Sequence, residues 1–298
     1  MLLCFTKYLM MHQLTRCSAI LLFFISSCSK KFDGKNGTRT IYYEGTDKVS
    51  QSIEYKNGKK EGWWLEFYEN GNPKVKSFYV NDSLQDSSVY HHKNGALSDI
   101  QFYKKGKREG CWKKFNEKGM LVHEANYMNN YKEGISKTYT YNSGRLLEQL
   151  NFKEGIKEGK QEYFYNSGKP KCVCYFHNNH PCLGLQEWTE SGKKINTDFK
   201  ISISELNRVL LENKLKLIVR LEHSQHSDEV CEVEMSDSDS CFTGSICFSH
   251  EGDQFNRDYY VYKHGFVMRK ITIAAMRKTG LGNVMIKTAN YNLSATNF

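Results

Sequence analysis

The chain predicts an all-β protein: an antiparallel β-meander of six or so hairpin repeats of about 24 residues, followed by a small β-sandwich-like C-terminal domain. Three observations predict it. A short pattern returns at a nearly fixed spacing, a turn signal arrives every 10 to 14 residues, and the segments between turns are rich in aromatic and β-branched residues. The same interruptions disfavour helix.

The first residues stand apart from this fold. Arg16 precedes an apolar run from Ala19 to Ile25, then Ser26, Ser27 and Cys28. The run is too short to span a bilayer and suits the apolar core of a signal peptide. Ile25-Ser26-Ser27-Cys28 resembles the lipobox of bacterial lipoproteins. The resemblance implies removal of residues 1–27, lipidation of Cys28 and a lipid-anchored place in the cell envelope, at the outer membrane of a Gram-negative bacterium. An ordinary secretory signal or a short buried helix is the plainer reading. Residues 28–39 are polar and read as a tether.

Residues 40–199 carry the repeat. An acidic–Gly pair or its relic falls at Glu61-Gly62, Gln85-Asp86, Glu109-Gly110, Glu133-Gly134, Glu158-Gly159 and Leu183-Gly184, with gaps of 24, 24, 24, 25 and 25 residues. A second glycine follows in the first five units: Gly71, Gly95, Gly119, Gly144 and Gly168. Two aromatic columns accompany the glycines. One is Phe67, Phe115, Tyr139 and Phe164, with His91 in the second unit; the other is Tyr79, Tyr103, Tyr127, Phe152 and Phe176. The spacing leaves room for two strands and two turns per unit. "YENGN" and its copies are hairpin turns, because Asn or Lys before Gly supplies positive φ. "KNGKKEG", "KKGKREG" and "KEGIKEG" read as longer turns at the other end. Stacked repeats should set like side chains side by side, so both columns are expected to be ladders of core rings. The second unit, with Asp86 for Gly and His91-His92 for aromatics, reads as looser.

The pattern resembles the MORN repeat, in the variant found in YwqK-like proteins. The residues that carry it are Glu61 to Gly71, "EGCWKKFNEKG" (Glu109 to Gly119) and "EGKQEYFYNSG" (Glu158 to Gly168). The resemblance implies a repeat-built sheet. YwqK-like proteins are commonly labelled antitoxins, so it also implies a protein that binds and neutralises a toxin, as an immunity protein if the chain is exported.

From about residue 200 the period stops. "SELNRVLLEN" reads as a short helix capped by Ser204, with Leu206, Val209 and Leu210 on one face. "KLKLIVRLE" alternates as a strand, and the remaining segments read as strands joined by Gly-containing turns, giving a compact sandwich over 200–298. Lys and Arg balance Asp and Glu here, so the positive excess of the chain sits on the repeats. The turn cations Lys59, Lys60, Lys105, Lys107, Arg108, Lys132 and Lys157 are expected along one edge of the meander.

Candidate chemistry is sparse. Cys172, Cys174, His177, His180 and Cys182 form the densest group of ligand-type residues. Cys172 and Cys174 share a strand face and Cys182 returns across a turn, which suits a Cys172–Cys182 or Cys174–Cys182 disulfide, free thiols, or a Cys/His zinc site. Export favours sulfur chemistry over metal. Cys241 and Cys247 flank a Gly turn, with Cys231 as the other candidate partner. No nucleophile elbow, P-loop or dinucleotide fingerprint is present. The expected function is a membrane-anchored binding scaffold for a protein or glycan partner, with no cofactor, no metal and no nucleic acid. The rivals are a toxin-neutralising protein and an enzyme in the C-terminal domain.

Overall fold

The computed structural model describes residues 31–298, except residue 197 and residues 236–240. The export segment, Cys28 and the first tether residues therefore lie outside the described residues. The chain folds as two compact units, divided between Ile156 and Lys157. The period ends later, so the fifth repeat begins the second unit.

The first unit is a meander. Strands Gly37–Tyr42, Val49–Lys56, Lys59–Phe67, Pro73–Val80, Ser83–His91, Leu97–Lys104, Gly110–Phe115, Leu121–Met128, Gly134–Tyr139 and Leu146–Lys153 each pair antiparallel with the next. The "KNGKKEG" type segments are tighter than their length suggests. The turn itself is two residues with positive φ, Asn57-Gly58 at 53° and 78°, Asn81-Asp82, Lys105-Gly106 and Asn129-Asn130. Such turns match the strand twist. The glycine of the acidic–Gly pair then occupies a bulge in the following strand, with φ of 116° at Gly62, 88° at Gly110 and 72° at Gly134. Asp86 takes φ of 62° at the same point. Aspartate tolerates this region, so the second repeat follows the same path as its neighbours rather than loosening.

At the opposite end the links are five-residue loops, lengthened to six residues at 43–48 and 140–145. Tyr68 N–H donates to Asn72 O at 2.8 Å and Gly71 N–H to Tyr68 O at 2.8 Å, and the same pair of bonds recurs at His92–Ala96 and Asn116–Met120. Gly110→Val tests the bulge. A Cβ there meets nothing nearer than Phe102 Cβ at 3.9 Å, so backbone strain alone opposes it. The variant should lose about 1–2 kcal/mol by urea unfolding, and Gly110→Asn should lose less.

The second unit opens with hairpin Ile156–Phe164 and Pro170–His177, followed by short strands Gln186–Trp188 and Lys194–Ile195. Two four-stranded sheets follow. One is ordered Ile201–Arg208, Lys214–Leu221, Gln254–Tyr260, Ser249–Glu251; the other Phe242–Cys247, Glu229–Met235, Phe266–Lys278, Val284–Thr296. Their inner faces share one core, with Leu215, Leu217, Val219 and Phe255 from the first sheet against Ile271, Ile273 and Leu293 from the second. The predicted sandwich is therefore present. The predicted helix is not: residues 201–208 pair in full register with 214–221, and helix survives as the single turn Val209–Glu212. Alternating Ile201 and Ile203 pack on the core, and a strand buries them where a helix would turn them away.

Candidate binding face of the repeat sheet

Paired residues on neighbouring strands share a face. On one face of the meander the central positions are small: Ser77, Ser88, Ala125 and Ser136 are all buried, and the Ser77 and Ser88 hydroxyls bond to each other. This face is closed. Larger side chains to either side cover it, among them Val75, Tyr79 and the half-buried Trp64 and Trp112.

The aromatic columns flank this closed face, though not as ladders of stacked rings. Tyr79, Tyr103, Tyr127 and Phe152 stand opposite Gly62, Asp86, Gly110 and Gly134, and Phe176 opposite Gly159 in the second unit. Each ring leans beside a bulge residue, and in four of the five pairs that residue has no side chain. Ring contacts run within a hairpin: Trp64–Tyr79 at 5.6 Å and Trp112–Tyr127 at 6.0 Å. Equivalent strands of successive repeats are two strands apart, roughly 9.5 Å, beyond the reach of ring-to-ring contact. Cations cap the rings instead. Lys60 Nζ lies 4.7 Å from the Trp64 ring and 5.0 Å from Tyr79, Arg108 5.4 Å from Tyr127 and Lys132 5.0 Å from Phe152. Lys157 lies 5.0 Å from Phe176 in the second unit. The expected basic edge therefore splits: these four cations sit on rings, and Lys59, Lys105 and Lys107 are exposed. Burial, the first cause, lifts the Tyr79 hydroxyl to about 12.

Phe67, Phe115 and Tyr139, and Phe164 in the second unit, all occupy a register shift just before the loops, which have five residues except for the six that follow Tyr139. Phe115 is buried and the others are half-buried. At most of these loops the first residue binds the next repeat, whereas Thr140 bonds within its own loop. Tyr43 OH donates to Phe67 O at 2.7 Å and Tyr68 OH to His91 O at 2.9 Å; His92 Nε2 meets Phe115 O at 2.9 Å; Asn116 Nδ2 donates to Tyr141 O. His92 is thus a polar substitute for tyrosine and not a mark of a looser unit.

The acidic member of the acidic–Gly pair also clamps repeats together, a role the sequence pattern did not reveal. Glu61 accepts Asn81 N–H at 2.8 Å, Gln85 accepts Lys105 N–H at 3.0 Å, Glu109 accepts Asn129 N–H at 3.1 Å and Glu133 accepts Glu154 N–H at 2.9 Å. Within the second unit Glu158 accepts Asn178 N–H at 3.0 Å. The constant spacing to a positive-φ turn residue was the available signal.

The other face is open. Trp63, Val80, Met128 and Ile135 alternate with the buried set and are exposed. Trp63 packs edge-on to Phe78 at 5.2 Å, and Lys76 Nζ sits 4.1 Å over the Trp63 ring. Burial lowers the Lys76 pKa. Further along, Glu124 receives Tyr139 OH at 2.8 Å and lies 3.7 Å from Lys137. An aromatic platform with a cation, and a mixed-charge strip four strands away on the same face, suit a polar partner that also offers apolar surface.

One polar cluster lies on the closed face. Trp112 Nε1 donates to Asp99 at 3.1 Å, while His123 Nδ1 meets Thr138 Oγ1 at 3.2 Å and Nε2 meets Ser136 Oγ at 3.5 Å. Burial, then Lys132 and Lys114, hold His123 below the usual histidine range. Its second ring nitrogen meets a hydroxyl rather than a carboxylate, so the geometry is that of packing, not of a nucleophile–base–acid relay.

In the second unit Cys182 pairs outside its own cluster and Cys241 does not bridge to Cys247, while Cys231 is a disulfide partner and Cys172 and Cys174 stay thiols, both among the expected alternatives. Cys182 bonds to Cys241 and Cys231 to Cys247, while Cys172 and Cys174 are free and buried. Cys231 and Cys247 are direct cross-strand partners. Cys172 faces Glu187 across the ladder and packs with Cys174 and Leu185. The hydrogen bond with Cys174, then burial, pushes the Cys172 thiol up. His177 is held by Glu158 at 2.9 Å, and Cys182 is consumed by its disulfide, so neither joins Cys172 and Cys174 around an ion. Among the described residues no three His, Cys, Asp or Glu side chains converge as a metal site.

No curated protein matches this chain. The family model described as MORN repeat variant matches residues 60–81, 108–129 and 157–178. Each match begins at a ring-capping cation, Lys60, Arg108 or Lys157, and ends at or near the turn asparagine bound by the acidic clamp. The chain carries MORN-variant repeats at these three places, and each repeat is one complete clamped hairpin.

Proposed function

We propose that the chain is a membrane-anchored bacterial lipoprotein whose repeat sheet is a binding scaffold, presenting the face that carries Trp63 to a protein or glycan partner. The observation that carries this reading is the asymmetry of the sheet. One face is filled by its own small and aromatic side chains, while the other leaves Trp63 exposed beside Lys76, Val80 exposed at the end of the same strand as Lys76, and Met128 and Ile135 exposed four and five strands further along. Repeat sheets present extended surfaces of this kind to partners. Lipidation of Cys28 through the lipobox-like stretch would hold that surface in the envelope.

The test pairs two variants in cells. Native chain should carry acyl mass at Cys28 and partition with membranes, and Cys28→Ala should move to the soluble fraction. A photo-crosslinking residue at Val80 should capture a partner, and adding Trp63→Ala should reduce that capture roughly 30-fold, as for a central aromatic anchor. Equal capture with and without Trp63 would reject the face; a soluble, unprocessed native chain would reject the anchor.

A further inference from the structure

The second unit has one end whose chemistry the scaffold reading leaves unused. Three segments meet there: the single helical turn with Asn213, the link from Tyr260 to Phe266, and the last residues of the final strand. The register Lys214↔Tyr260 and Phe266↔Thr296 brings them to the same end of the sandwich. Asn297 locks them together. Its buried side chain donates to Asn213 Oδ1 and to Val261 O, each at 2.8 Å, and its backbone N–H donates to Gly265 O at 2.9 Å. Val261 N–H donates to Asn213 O at 2.8 Å. The loops are braced from within.

The braced loops project apolar side chains outward. Leu210 is 76% exposed, Leu211 88%, Tyr262 75%, Phe266 76% and Met268 75%. Side chains this exposed touch almost nothing and stand clear of the surface. Outside these segments and strand Phe266–Lys278, the exposed large apolar residues among the described residues of the second unit are Leu206 and Ile246. Scattered exposed apolar groups are ordinary, but such a concentration marks an interaction site.

Charge selects the occupant. Two carboxylates at this end are neutralised: Glu212 by Arg208 at 2.7 Å and Lys214 at 3.2 Å, and Asp258 by Lys214 at 3.3 Å. Glu205 receives Tyr291 OH at 2.8 Å. The exposed lysines Lys263 and Lys270 have no ion pair among the described residues. Glu205 keeps its charge, because the Tyr291 hydroxyl brings no counter-charge, so Lys263 and Lys270 leave a small net positive excess beside the apolar tips. Leucine and aromatic tips with free cations beside them fit the boundary between acyl chains and anionic headgroups. A protein pocket would need matched cavities for side chains that here point freely into solvent, whereas a fluid bilayer accepts them as they stand.

We propose that this end of the second unit inserts Leu210, Leu211, Tyr262 and Phe266 into the surface of an anionic lipid bilayer, with Lys263 and His264 at headgroup level. The inference does not depend on lipidation of Cys28.

The test uses the full chain with Cys28→Ala, so that no acyl chain contributes, and with Leu211→Trp as a local reporter. Residues 1–30 contain no tryptophan, so that segment adds nothing to the signal. The probe is a phosphatidylcholine vesicle with and without phosphatidylglycerol, containing brominated acyl chains that quench tryptophan on contact. The expected result is quenching beyond that of the parent without the reporter, stronger on phosphatidylglycerol. A Phe266→Trp reporter should report the same. Adding Leu210→Glu should weaken the partition at least about tenfold, the scale of one buried leucine. Absence of added quenching at both reporters overturns the proposal, as does equal quenching on neutral vesicles. Absent quenching together with a concentration-dependent dimer that Leu210→Glu abolishes would assign the patch to a second copy of the chain instead.

Discussion

Cys182→Ser lowers the melting temperature of the second unit by roughly 10 °C. The disulfide to Cys241 closes a span of 59 residues and ties the strand of the last repeats to the edge strand Phe242–Cys247. A loop of that size is worth about 4 kcal/mol in unfolded-state entropy. The shorter Cys231–Cys247 link spans 16 residues and should contribute about 3 kcal/mol. Thermal scans of the oxidised chain and the two serine variants give the comparison, and non-reducing peptide mapping gives the pairing. Cys182 linked to Cys172 or Cys174 in the map, or an unchanged melt, would contradict the structure.

Asp228→Ala should cost about 3–5 kcal/mol, because it leaves a cation in the interior without its counter-charge. The Asp228 side chain is fully buried and accepts Arg277 Nε at 3.0 and 3.1 Å and Nη2 at 2.7 Å. Arg277 in turn donates to Glu222 O at 3.0 Å and lies 4.4 Å over the Phe199 ring. The pair ties the 222–228 loop to the long strand Phe266–Lys278. Arg277→Met added to Asp228→Ala should restore part of the loss, since the stranded charge goes with it. Urea unfolding of the two single variants and the double variant measures the coupling. Additive losses would mean that the two groups act separately.

The repeat was legible because it is local. Turn residues, bulge glycines and strand alternation lie within one unit, so period, fold class and hairpin ends could be read from residues 57–71 and their copies. The clamps were partly legible: Glu61 and Asn81 stand at constant spacing, but only the paired strands show that a carboxylate meets a backbone N–H there. The aromatic columns were located correctly and given the wrong neighbours. Similarity between repeats predicts like beside like, whereas an antiparallel meander inserts a strand between copies and gives each ring a bulge residue, a tryptophan or a cation.

By itself the sequence determined the all-β class, the 24-residue hairpin unit and the sandwich that follows, because φ preference and alternation are properties of neighbouring residues. Tertiary structure alone decided the pairing of Cys182 with Cys241, the closed and open faces of the sheet, and the braced apolar end of the second unit. Each depends on which distant segments pack together. Cysteine spacing favours a partner eight or ten residues away over one 59 residues away by only about 1.8 kcal/mol of closure entropy, which the packing of distant segments overrides.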